Sequence, residues 1–152
     1  MVTVKEKDLP SPGAQFRRGL YMFQRRSFNM TMLSVFDEPV MDTNCTRRNT
    51  SAVVLQSLAL MNDEFMLDQS DFFAQRVASA AGPDAESRVK LAYRIALGRQ
   101  PSAKEMSWSM DSLHQLTDRF RGARTPPGEA NLKALAAVCH TLLNTNEFLY
   151  VE

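Results

Sequence analysis

Apolar positions recur along most of this chain with the helical period of about 3.6 residues, and no segment keeps the strict alternation of a half-buried strand. From Ala14 to Ser27, Phe16, Leu20 and Phe23 share one face, with Arg17, Arg18, Arg25 and Arg26 on the other side. Residues 28–51 are irregular, rich in Asn, Thr, Ser and Asp, with a short helical turn expected at Met32–Phe36. Ala52 to Met61 reads as a buried helix. The next is expected from Glu64 to about Ala81, opened by Asn62 or Asp63 and anchored by Phe65, Phe72, Phe73 and Val77. Gly82-Pro83 stops it, because Gly accepts the left-handed terminal conformation and Pro cannot extend a helix.

Asp84 starts a further helix, with a stripe of Val89, Ala92, Tyr93, Ala96 and Leu97 ending at Gly98. Ser102 and Glu105 stand at capping-box spacing, in which each side chain satisfies a backbone N–H of the other residue. The helix behind them carries Met106, Met110, Leu113 and Phe120 and stops near Gly122. After a Gly/Pro loop, the last helix aligns Leu132, Leu135, Ala136, Cys139, Leu142 and Leu143. The expected fold is therefore all-α: a single irregular bundle of about six or seven helices. Residues 1–12, polar with two prolines, read as a linker or arm, and 13–152 as the helical domain.

Composition supports a packed core. The chain has 152 residues, 44% hydrophobic and 23% charged, the balance of an ordinary globular domain. A net charge of +1 supplies no general attraction to nucleic acid or anionic lipid, so neither is expected as a partner. The longest apolar stretch is too short for a membrane span. The nine methionines read chiefly as core filler.

Known chemistries find few matching residues. Haem attachment through Cys-x-x-Cys-His would need a cysteine at position 136 ahead of Cys139-His140, and that position is Ala. Two cysteines, Cys45 and Cys139, and two histidines, His114 and His140, are widely separated in sequence. No catalytic residue, metal ligand or cofactor is expected within this chain. Cys45 and Cys139 are expected to be either both free or bridged to each other, and free thiols are preferred because Cys139 reads as a core position. The best binding candidates lie in the long irregular segment: Asp37, Asp42, Arg47, Arg48, Asn49 and Gln56. Arg offers a planar fork of donors, and Asn and Gln both donate and accept. The competing reading is that Arg47 and Arg48 pair with nearby acids and tie the loop down.

The order of motifs resembles a known family. Arg17-Arg18-Gly19-Leu20-Tyr21-Met22-Phe23 is followed by Met32-Leu33-Ser34-Val35-Phe36-Asp37, and then by Cys45-Thr46-Arg47-Arg48-Asn49-Thr50-Ser51 running into Leu55-Gln56-Ser57-Leu58-Ala59-Leu60-Met61-Asn62-Asp63-Glu64-Phe65. Leu97-Gly98-Arg99-Gln100-Pro101 with Glu105 comes later, and Asn144-Thr145-Asn146-Glu147-Phe148-Leu149-Tyr150 near the end. Together, over residues 16 to 152, these resemble the C-terminal part of the planctomycete-type PSD domain, a domain of unknown function. Where that family usually reads Thr-Pro-Leu-Gln, this chain has Val53-Val54-Leu55-Gln56.

The resemblance implies the end of a large exported bacterial protein, often with a cytochrome c domain upstream. It implies that the partner is the missing N-terminal part of the same protein, or another protein. Phe16, Leu20, Phe23 and Met32 are then expected to form an exposed apolar docking face. Two function classes follow: a non-catalytic helical interaction module of an extracytoplasmic, cytochrome-linked protein, or one wall of a polysaccharide-directed active site completed by upstream sequence.

Overall fold

The computed structural model describes residues 35–36, 53–123 and 125–150. Among these residues there are six helices and no strand: α1 (Val53–Asn62), α2 (Glu64–Ala81), α3 (Ala85–Leu97), α4 (Ala103–Gly122), α5 (Pro127–Leu143) and α6 (Asn146–Leu149). The expected all-α class holds. The helix expected at Ala14–Ser27 and the apolar face of Phe16, Leu20, Phe23 and Met32 lie outside the described residues.

The chain divides into two compact units, Met1–Asp63 and Glu64–Glu152. In the first, α1 buries Gln56 and Leu60 but leaves Leu58 and Met61 more than half exposed. The expectation of a buried helix is corrected: α1 keeps apolar Leu58 and Met61 at the surface.

The second unit is built around α5. Its Ala130, Ala134, Leu135, Ala136, Val138, Cys139, Leu142 and Leu143 are all buried. Helices α2 and α4 pack against it, α3 touches α2, α4 and α5, and α6 closes on α3 and α5. Each core Leu or Val contributes about 1.5–3 kcal/mol by leaving water.

On α2 the buried face is Met66, Ser70, Ala74 and Val77. Of the four expected anchors, Val77 is fully buried, Phe65 and Phe73 are partly buried and Phe72 is 58% exposed. Small residues hold the contact instead, since Ala74 on α2 and Ala130 and Ala134 on α5 are all fully buried. Short side chains bring helix axes close, whereas a bulky ring at that place would force them apart.

The helix ends follow local chemistry. Gly82 (φ +75°) and Gly98 (φ +70°) take the left-handed conformation that ends α2 and α3, where a side chain is disfavoured on backbone grounds alone. Asp84 caps α3 by accepting from the Ser87 N–H at 2.8 Å, and the Ser87 hydroxyl, donating at 2.6 Å, together with that N–H holds its carboxyl below the usual range. The capping box on α4 is complete. Pro127 starts α5 in the position where its missing N–H costs nothing. The one-turn helix α6 was not expected from periodicity, because four residues are too few to show it. Its signal is the cap, where the Thr145 hydroxyl accepts from the Phe148 N–H.

Candidate functional site

Of the six binding residues expected from sequence, the structure describes Gln56. Its side chain is 7% exposed, and Nε2 donates to the Val35 carbonyl at 3.3 Å. That bond ties α1 to the segment 21 residues earlier. Asp37, Asp42, Arg47, Arg48 and Asn49 lie outside the described residues.

The most organised polar constellation in the described residues is centred on Arg99. Gly98 turns the chain out of α3, and three residues later Pro101 leads into the Ser102 cap of α4. Arg99 therefore sits on the corner between the two helices, with Glu105 on the first turn of α4. Its Nη1 and Nη2 donate to the two oxygens of Glu105 at 2.9 and 2.7 Å. Its Nε and Nη2 donate to the two oxygens of Glu147, on α6, at 2.7 Å each. Nη1 also donates to the Gln100 carbonyl at 3.1 Å. The guanidinium lies 5.9 Å from the centroid of the Tyr93 ring, whose hydroxyl is 3.4 Å from that of Ser109.

A guanidinium has five N–H donors. One on Nε, two on Nη1 and two on Nη2 are each matched by an acceptor here. Arg99 holds both carboxylates in bidentate geometry, the strong form of such a pair. Glu105 is engaged further, since its Oε2 also accepts the Ser102 N–H at 2.7 Å.

The electrostatics follow. Hydrogen bonds from Arg99, and then from Ser102, hold the Glu105 carboxyl down at about 2. Arg99 also lowers Glu147, while the Glu105 charge pushes it the other way. The two carboxylates raise Arg99 further above its already high value. Near neutral pH all three groups are charged and none exchanges protons, so the trio is a clamp rather than an acid–base pair. It joins the α3–α4 corner to α6 across 48 residues of sequence.

Cys139 is a free thiol, fully buried, with its pKa pushed up to about 12 by burial. A thiolate, the reactive form, is suppressed there. Ala136, where a haem thioether cysteine would stand, is a core residue beside it. Among the described residues no three His, Cys, Asp or Glu side chains gather where they could hold a metal ion. Among the same residues no helix is long and apolar enough to cross a membrane.

The motifs around this clamp can now be set against known families. Residues 3–113 match the profile of PSD1, described as a protein of unknown function (DUF1553). The chain belongs to the PSD1 family. Neither a curated protein nor a solved structure matches it. The PSD1 match contains Arg99 and Glu105 and ends before Glu147. The third member of the clamp thus comes from beyond the matched stretch. Arg99, Glu105 and Glu147 stand in the sequence motifs with nothing local to join them. The legible signal for Glu147 was an acidic residue on the first turn behind a Thr cap.

Proposed function

We propose that this chain is a non-catalytic helical structural and interaction module, the C-terminal part of a PSD1 domain in a larger, exported, cytochrome-linked bacterial protein. Its partner is the upstream part of that protein or another protein. The observation that carries the reading is the complete engagement of Arg99. Two polar motif residues, Arg99 at the α3–α4 corner and Glu105 on α4, satisfy one another and Glu147. Residues that serve as a ligand site keep donors or acceptors open; these do not. Their role is to fix the corner of the bundle and so the surface it presents.

The test uses the intact protein. Arg99→Gln leaves Glu105 and Glu147 close together without their cation. The reading expects faster limited proteolysis of this region and weaker retention of the upstream part after a cut between them. A variant as resistant as the parent, with its association unchanged, contradicts it. Haem absorbance of the same intact preparation tests the cytochrome link separately, and its absence removes that link without touching the structural role.

A further inference from the structure

A second polar cluster lies away from the clamp, in a cleft of about 250 Å³ lined by α3, α4 and α5 and the turn before α3. Leu113 and Leu135, both core residues, line it along with the polar side chains. Those side chains are Arg88 from α3, His114, Thr117, Asp118 and Arg121 from α4, and Asn131 from α5. We propose that this cleft binds a small carboxylate that also carries a hydroxyl or ammonium donor.

The case rests on hydrogen-bonding capacity left open. Arg88 uses Nε to donate to the Gly82 carbonyl at 2.6 Å, which fixes the side chain against the end of α2. Its two Nη groups have no acceptor among the described residues. Arg121 makes one long contact, from Nη2 to Asn131 Oδ1 at 3.4 Å. Asp118 lines the same cleft yet forms no ion pair with either arginine. The cleft therefore holds two guanidinium forks and one carboxylate that do not neutralise one another.

Each group constrains the ligand. A guanidinium fork matches the two oxygens of a planar carboxylate. Asp118 repels a bare anion and accepts from a donor, so the ligand carries both functions. His114 and Thr117 add polar contacts at the wall, and Leu113 and Leu135 suit a short carbon skeleton. The volume lies just under the roughly 300–1,000 Å³ typical of sites for drug-sized ligands, which limits the occupant to a few carbons or a single ring. Hydroxy acids and amino acids share this chemistry.

Three isosteric probes separate the possibilities: lactate, alanine and propionate, titrated into the whole chain and followed by amide chemical shifts. The proposal expects saturable shifts at Arg88, His114 and Arg121 with lactate or alanine, and binding of propionate weaker by about tenfold, the equivalent of about 1.4 kcal/mol. Preference for lactate identifies a hydroxy acid, and preference for alanine an amino acid. Arg121→Gln is expected to weaken binding by tenfold or more on the same scale. Asp118→Asn is expected to abolish the preference over propionate while leaving the fold intact by circular dichroism. Equal binding of all three probes, no saturable shift with any of them, or unchanged affinity in Arg121→Gln overturns the proposal.

Discussion

Arg99 has an acceptor for every N–H it carries, whereas Arg88 and Arg121, on the helices either side of the same corner, keep most of theirs open. Residue type and charge are the same in both places. The difference is what the fold places opposite. At the clamp, a capping glutamate and a first-turn glutamate from α6 converge on one guanidinium. At the cleft, Asp118 shares the space with two guanidinium groups without reaching either. An arginine in a motif is therefore no evidence of a ligand until its donors are counted.

The largest effect is expected in the core behind the cleft. Leu135 is 1% exposed and serves both the core and the cleft lining. Leu135→Ala should cost about 2–5 kcal/mol in urea unfolding. A cost near that of a surface substitution would mean that α5 is not the centre of this unit. Next comes Arg99→Gln, which removes the common cation of two carboxylates. It should lower the melting temperature, and by more than any single substitution of Arg88 or Arg121. Ser102→Ala, which removes the side-chain half of the α4 capping box, should cost about 1 kcal/mol. The smallest effect on stability is expected from Arg121→Gln, within about 0.5 kcal/mol of the parent, because the residue is exposed and lightly engaged. A large loss there would make the cleft a second clamp.

Helix ends were the most legible part of the chain. Asp84, Gly98 and the Ser102–Glu105 box act through backbone groups a few residues away, so a local reading suffices. The burial of α2 was harder to read. Hydrophobic periodicity singles out Phe72, yet the helix turns Ser70 and Ala74 inward, because close approach to α5 rewards small side chains that carry little hydrophobic signal. The clamp was visible only as separate letters. Glu105 is six residues from Arg99 and Glu147 is 48, and the second pairing exists only because α6 folds back onto α3. Among the six expected binding residues, Gln56 illustrates the same point: its partner is the Val35 backbone, 21 residues earlier, which no local pattern specifies.

The clamp's acid sensitivity tests the account most directly. Glu105 is held at about 2 in the folded chain against an ordinary 4.5. Between those values the unfolded chain binds more protons than the folded one, so this contribution is complete above about pH 4.5 and is lost as the pH falls toward 2. Glu147, also lowered by Arg99, acts in the same direction, and Arg99 stays charged throughout. Melting temperatures of the parent and Arg99→Gln, measured from about pH 7 down to pH 2, isolate the effect. The account expects the parent to be clearly more stable near neutrality, with the gap closing as the acid range is entered. Two parallel curves, or a variant as stable as the parent at neutral pH, would contradict it.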